Sequence, residues 1–262
     1  MIYEKITLGV GNAELTVYDS DGLKGDAILV IPGGGYSNVC ADREGEPIAL
    51  SYLSKGIKAF VLNYSTKDAA KGHQPLVEAS AAIAYIRANK ENYGITGKIY
   101  AVGFSAGGHL CASLATMWHR DEVVERAGIK YGENRPDAVV LCYPVISGVT
   151  MPHKGSFHNI IGSTEPTVEQ LNYYSAEQHV DERSVPAFIM HTATDDLVPV
   201  QNALCFATAY ANNKIRFELH VYPEAPHGIA LANKITSRGS KAWEDTQIER
   251  WIDDSIYFFK HL

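Results

Sequence analysis

A serine stands between two glycines at the point where an apolar run gives way to a helical pattern. Residues 99–104 are typical of a buried strand, and they lead into Gly103-Phe104-Ser105-Ala106-Gly107. A turn this tight between strand and helix leaves no room for a side chain at Gly103 or Gly107. The pattern therefore predicts that Ser105 stands above a sheet edge as a candidate nucleophile. Its helix is indicated by apolar residues spaced four and three apart: Leu110, Leu114 and Met117.

A serine hydroxyl needs a base to take its proton and a carboxylate to orient that base. Residues 186–194 predict a buried strand that ends in Asp195 and Asp196, and residues 216–222 predict a strand that leads to His227. The carboxyl ends of parallel strands meet at one sheet edge, so these groups would lie near Ser105. The order serine, aspartate, histidine is that of the α/β-hydrolase fold. Both aspartates also suit a plain polar turn, so the residues alone leave the choice between them open.

Four other histidines are explained without a role as the base. His109 follows Ser105 by one helical turn, which predicts a role in the core or at the pocket edge. His191 ends a buried strand and is expected to be structural. His153 and His158 have no further ligand at a metal-like spacing, and no His-Glu-x-x-His sequence occurs. We therefore predict no metal and no other cofactor.

Three consecutive glycines, Gly33, Gly34 and Gly35, follow the apolar residues 27–31. We call these three residues the glycine loop. Their N–H groups are unobstructed by side chains, as a ligand-binding loop requires. A phosphate-binding loop would need a following lysine, which is absent. The loop therefore predicts half of an oxyanion hole at Gly34 or Gly35, and the N–H of Ala106 at the helix start predicts the other half.

Strand-like and helix-like runs alternate along the chain, which predicts an α/β fold with a mostly parallel twisted sheet and helices on both faces. An antiparallel hairpin is expected at residues 2–19, and residues 1–262 are interpreted as one domain. Residues 147–184 interrupt the alternation with little regular pattern, and we call this polar segment the cap. Candidate substrate contacts are Tyr36, Tyr173 and Tyr174, whose rings could stack on a sugar. The alternative is that Tyr173 and Tyr174 only pin the cap to the body.

Charge and cysteine usage narrow the classes of partner. The 262 residues carry a formal charge of −7, which argues against nucleic acid and anionic membranes and favours a small neutral substrate. The four cysteines lie far apart and are expected to be reduced. Residues 1–8 lack the apolar core of a signal peptide, and no apolar run reaches membrane-spanning length. These features predict a cytoplasmic protein that binds no membrane, and a homodimer is compatible with them.

Five blocks together resemble the acetyl esterases and xylan-side-chain esterases of the α/β-hydrolase fold, which are related to the hormone-sensitive-lipase-like esterases. The blocks span nearly the whole chain: residues 32–36, 43–47, 103–108, 195–199 and 226–228. The resemblance implies a serine esterase acting on short acyl groups, with acetyl esters of sugars as the expected substrates. It also assigns the orienting carboxylate to Asp195, four residues before Pro199. Pro32 departs from the histidine that many relatives have, which leaves the support of the glycine loop open.

Residues 43–46 begin the first helix in this interpretation. Arg43, Glu44 and Glu46 are expected to form a structural salt link there, because carboxylates are favoured near a helix start. A place for Arg43 near the active site is the alternative. Other functions compatible with the resemblance are a general short-chain carboxylesterase, a prolyl-type peptidase and a binding protein that lost its chemistry. The peptidase would need a large extra domain for which the chain has no room.

Replacement of each of the two neighbouring aspartates by asparagine should show which of them orients the histidine. Asp195→Asn is expected to lower kcat by about 10⁴, because an amide in place of the orienting carboxylate selects the wrong imidazole tautomer. Asp196→Asn should change kcat little. Steady-state hydrolysis of p-nitrophenyl acetate measures both. A larger loss in Asp196→Asn would reverse the assignment.

Overall fold

The computed structural model describes residues 2–262, in which eight strands form one sheet. Its strand order is β1-β2-β4-β3-β5-β6-β7-β8. The strands are β1 Ile2–Thr7, β2 Glu14–Asp19, β3 Gly25–Ile31, β4 Lys58–Asn63, β5 Ile95–Phe104, β6 Val139–Cys142, β7 Ala187–Thr192 and β8 Phe217–Tyr222. β1 pairs antiparallel with β2, β2 pairs antiparallel with β4, and all other pairs are parallel. The predicted edge hairpin and mostly parallel sheet are confirmed.

Helices cover both faces of the sheet. They are α1 Ala41–Glu44, α2 Glu46–Ser54, α3 Gln74–Ala88, α4 Ala106–Met117, α5 Asp121–Ala127, α6 Lys154–Ile161, α7 Val168–Tyr173, α8 Gln201–Asn212 and α9 Trp251–Lys260. Side chains of α3, α4 and α8 belong to one apolar core, and those of α2 and α9 belong to the other. Within residues 2–262, no helix combines the length and apolar character needed to cross a membrane.

The central strand β3 shows why its sequence is apolar throughout. Leu29 and Ile31 contribute to the core under α3, α4 and α8, whereas Ile28 and Val30 contribute to the core under α2 and α9. Successive strand side chains point to opposite faces, so a strand covered on both sides needs apolar residues at every position. Because β3, β5, β6, β7 and β8 pair in parallel, their carboxyl ends lie at one sheet edge.

The turn from β5 into α4 depends on its two glycines, as the sequence predicted. A Cβ at Gly103 would lie 2.2 Å from the carbonyl oxygen of Gly107. A Cβ at Gly107 would lie 2.2 Å from the carbonyl oxygen of Ile31. No real Cβ tolerates such distances to backbone, so the turn closes only with glycine at both positions. Ser105 between them has φ of 53°.

The cap is more regular than its sequence indicated. It contains α6, α7 and a 3₁₀ turn at Ala176–His179, where we expected little regular structure. Both helices are short. α7 buries none of its residues, and the only apolar residues that α6 buries are Phe157 and Ile160. One overlooked signal is the capping box of α7, in which the Thr167 hydroxyl oxygen accepts the N–H of Gln170 and the Gln170 side-chain oxygen accepts the N–H of Thr167. Such a box marks a helix start even without apolar periodicity.

Candidate active site

Three residues predicted from separate parts of the sequence form one hydrogen-bonded chain. Oγ of Ser105 lies 2.9 Å from Nε2 of His227. Nδ1 of the same imidazole lies 2.7 Å from Oδ2 of Asp195. Ser105 follows β5, Asp195 follows β7 and His227 follows β8, so the common sheet edge is what brings them together.

Asp195 is fixed by the turn that it begins. Its Oδ1 accepts hydrogen bonds from the N–H groups of Leu197 at 3.0 Å and Val198 at 2.8 Å, and the residue is only 6 % exposed. Burial alone would raise the pKa of Asp195, but the contacts with His191 and His227 and the Val198 N–H outweigh it and hold that pKa well below its usual range. Asp196, in contrast, is exposed to solvent.

The charge on Asp195 determines the tautomer of His227. An ionised carboxylate only accepts hydrogen bonds, so Nδ1 of His227 must carry the proton. In the neutral ring, Nε2 then presents its lone pair toward the Ser105 hydroxyl. This is the arrangement that a general base requires. The ring of Tyr143 meets the imidazole edge-on, with the centroids 5.1 Å apart, and helps to hold its orientation.

The backbone of Ser105 is held in a conformation that L-residues rarely adopt. Its N–H donates to the carbonyl of Cys142 at 3.1 Å. Its carbonyl accepts from the N–H groups of Val145 and His109, each at 3.0 Å. These bonds to β6, to the segment after it and to α4 offset the strain of the positive φ and keep the hydroxyl facing His227.

The glycine loop lies directly against the serine. A Cβ at Gly33 would lie 2.9 Å from Cβ of Ser105. Gly34 and Gly35 have φ of 128° and 64°, which favour glycine. Within residues 2–262, the N–H groups of Gly34, Gly35 and Ala106 have no hydrogen-bond acceptor. These are the three donors that the sequence predicts for an oxyanion.

Glu44 supports the glycine loop, a role that the sequence did not reveal. The side chain is almost fully buried, and its Oε2 accepts the N–H of Gly33 at 2.8 Å. Its Oε1 accepts the hydroxyl of Tyr143 at 3.0 Å and lies 3.7 Å from Nε of Arg43. The expected salt link is therefore present between Arg43 and Glu44, whereas Glu46 forms no ion pair within residues 2–262. Burial raises the pKa of Glu44, although Arg43 and the Gly33 N–H oppose the rise.

The backbone at Pro32, where many relatives have histidine, is held by a hydrogen bond next to the glycine loop. The hydroxyl of Tyr64 donates to the Pro32 carbonyl at 2.7 Å. Arg43 also lies next to Gly228, the residue after His227, because a Cβ at Gly228 would be 3.5 Å from its Nη2. Arg43 therefore lies close to the candidate site as well as beside Glu44.

Two of the three candidate substrate tyrosines are in the core. Tyr36 is 1 % exposed, and its hydroxyl lies 2.7 Å from Nδ1 of His109. Nε2 of His109 lies 2.6 Å from the carbonyl oxygen of Tyr174, whose ring stacks on His73 at a centroid distance of 4.2 Å. The substrate prediction is wrong for the Tyr36 and Tyr174 side chains, because each packs inside the protein. Their contacts agree with the core role expected for His109 and the pinning role for Tyr174.

Tyr173 is exposed but lies in a different place from Ser105. It lines a separate cavity of about 420 Å³ together with residues of α4, α5 and the 3₁₀ turn. The cavity includes Arg120, Glu122 and His179 and none of the three hydrogen-bonded residues of the candidate site. The structure therefore does not place Tyr173 beside Ser105.

The cap reaches the candidate site through α6 and the residue before it. Nδ2 of Asn159 donates to the carbonyl of Gly35 at 2.8 Å. Cε1 of His153 lies 3.9 Å from where a Gly35 Cβ would be. Burial and the neighbouring His227 lower the pKa of His153. Among residues 2–262, no group of three or more His, Cys, Asp and Glu side chains is arranged to hold a metal.

Comparison with known proteins identifies this architecture. The BD-FAE family model matches residues 15–210. Endo-1,4-beta-xylanase B of Butyrivibrio fibrisolvens is 41 % identical over 82 % of this chain, and the acetylxylan esterase of Xylanibacter ruminicola is 30 % identical over 87 %. The chain spans 34 % and 46 % of the lengths of these two relatives. The acetyl ester-xyloside bifunctional hydrolase from Caldicellulosiruptor lactoaceticus superposes with a TM-score of 0.82 at 31 % identity, covering 98 % of this chain and 96 % of that one.

Removal of the Glu44 carboxylate should destabilise the fold. Glu44→Ala leaves the Gly33 N–H and the Tyr143 hydroxyl buried without their acceptor, and each such group costs about 1–3 kcal/mol. We expect the free energy of unfolding to fall by about 2–4 kcal/mol, measured by urea titration. Glu46→Ala, at an exposed position on the same segment, is the control and should change little. Equal stability of the two variants would contradict the supporting role.

Proposed function

The chain belongs to the BD-FAE family of α/β-hydrolase esterases, and on that premise we propose that it cleaves short acyl esters, chiefly acetyl esters of sugars, by a serine mechanism. The observation that supports the mechanism is the hydrogen-bonded chain from Ser105 through His227 to Asp195. In it, a nucleophile, a base in the required tautomer and a buried carboxylate already stand in contact.

Acylation begins when Nε2 of His227 takes the proton of the Ser105 hydroxyl. Oγ then bonds to the carbonyl carbon of the ester, and the carbonyl π electrons move onto oxygen. The resulting oxyanion lies within reach of the N–H groups of Gly34, Gly35 and Ala106, and one such donor is worth about 3 kcal/mol of transition-state stabilisation. Asp195 stabilises the imidazolium without taking its proton.

Breakdown of this intermediate returns the electrons to the carbonyl and breaks the bond to the alcohol oxygen. His227 donates its proton to that oxygen, so a neutral alcohol leaves and the acyl group stays on Ser105. A water molecule then takes the place of the alcohol, with His227 again as the base. Collapse of the second intermediate releases the carboxylic acid and restores the Ser105 hydroxyl.

The preference for short acyl groups and sugar alcohols is supported by the groups near the glycine loop. The cap contributes His153 and Asn159 there, which are hydrogen-bonding side chains rather than an apolar wall. A buried CH₂ gains about 0.8 kcal/mol only where apolar surface receives it. The names of two relatives point the same way, since one is an acetylxylan esterase and another is an acetyl ester-xyloside hydrolase.

Ser105 should form the covalent intermediate. Ser105→Ala is expected to lower kcat for p-nitrophenyl acetate by about 10⁶, because the three residues act as a unit. A fluorophosphonate probe should label the wild-type protein and not this variant, as intact-protein mass spectrometry would show. Ser54→Ala, at an exposed serine far from the site in sequence, should still be labelled. Labelling that persists in Ser105→Ala would refute the nucleophile assignment.

Acyl-chain length provides the test of substrate class. We expect kcat/KM to fall from acetyl through butyryl to octanoyl p-nitrophenyl esters, and acetylated xylo-oligosaccharides should release acetate. The physical reason is that each added CH₂ finds little apolar surface in this site. Preference for octanoyl esters with no acetate release from the sugars would favour a general carboxylesterase. Failure to hydrolyse any ester would indicate a binding protein.

A further inference from the structure

We propose that His153 of the cap recognises a hydroxyl group on the alcohol part of the substrate, by donating a hydrogen bond from Nε2. This inference rests on the proposed function and deepens it, because it names the group on the substrate that the cap recognises. It gives the cap a direct contact with the sugar, at a residue other than Tyr173 and Tyr174.

The tautomer of His153 follows from its contacts at the start of α6. Nδ1 accepts the backbone N–H of Ser156 at 3.4 Å and lies 2.8 Å from the Ser156 hydroxyl. A backbone N–H can only donate, so Nδ1 must present its lone pair. The proton of the neutral ring therefore resides on Nε2. Because burial and the nearby His227 lower the pKa of His153, the ring stays neutral at neutral pH.

The ring of His153 lies beside the glycine loop of the candidate site. Cε1, the ring carbon between Nδ1 and Nε2, is 3.9 Å from where a Gly35 Cβ would be. The ring is also close enough to His227 and Asp195 for their charges to affect its titration. Within residues 2–262, Nε2 has no hydrogen-bond partner of its own. A half-buried N–H donor without a partner is thus held in place beside the glycine loop.

A hydroxyl of the alcohol part suits the Nε2–H of His153 better than the oxyanion does. Three backbone N–H groups, those of Gly34, Gly35 and Ala106, already stand ready for the oxyanion. His153 is near enough to His227 for the charge of His227 to lower the pKa of His153, and His227 must deliver its proton to the leaving alcohol. A sugar carries hydroxyl groups next to its esterified oxygen, and a neutral N–H donor matches a hydroxyl oxygen. An aryl ester has no such hydroxyl and cannot use the contact.

The test compares two substrates across matched histidine variants. His153→Ala should lower kcat/KM for acetylated xylo-oligosaccharides by about 10-fold more than for phenyl acetate, because only the sugar loses a hydrogen bond. His158→Ala is the control on the same helix, where the side chain lines a separate cavity with Lys67 and Asp68. It should leave the ratio of the two kcat/KM values as in the wild type. His153→Gln keeps an N–H donor and should recover part of the ratio.

The outcomes separate this inference from the proposed function. An unchanged ratio in His153→Ala would overturn the hydroxyl contact while the esterase function stands. An equal loss on both substrates would also overturn it and would assign His153 to the oxyanion or to the support of the loop. A wild-type protein that cleaves phenyl acetate but no acetylated sugar would contradict the contact together with the sugar preference. Thermal unfolding of each variant shows whether a loss reflects misfolding.

Discussion

The pairing of β3 with β5 is the constraint on which the rest of the site depends. Their parallel register places Ile31 opposite Gly103, so the turns that follow the two strands emerge side by side. The glycine loop and Ser105 therefore touch, and a Cβ at Gly107 would strike the Ile31 carbonyl. A shift of one residue in this register would turn every apolar side chain of β3 to the opposite face, so the two buried cores fix the register.

Each buried carboxylate near this sheet edge accepts hydrogen bonds from donors that the fold holds in place. Asp195 receives two backbone N–H groups and the imidazole of His227. Glu44 receives the Gly33 N–H and the Tyr143 hydroxyl, and Tyr143 also accepts the N–H of Ala230 at 3.1 Å. Buried carboxylates are costly unless they are bonded in this way. The same bonds that offset the cost also determine the positions of the loops.

Local patterns in the sequence were sufficient to predict the sheet and the residues at its edge. Strand and helix periodicity predicted the parallel order, and the two glycines around Ser105 predicted the turn. Glu44 could not be found this way, because its partner Tyr143 lies 99 residues away and neither shows a local signature. Tyr36 was misassigned for a similar reason, since its partner His109 comes from a different element. The places of these side chains are determined by hydrogen bonds between segments that are far apart in the sequence. Patterns among neighbouring residues do not reveal such bonds.

The bond from Asn159 to the Gly35 carbonyl couples the cap to the glycine loop, and a second connection runs from Tyr36 through His109 to the backbone of Tyr174. The cap is thus anchored to the glycine loop and to α4 and does not form an independent module. Exchange of this segment between related enzymes to alter substrate range would also change the geometry of the loop beneath it. Chimaeras in this fold should therefore keep the asparagine and the tyrosine–histidine pair, and vary the segment only between these anchors.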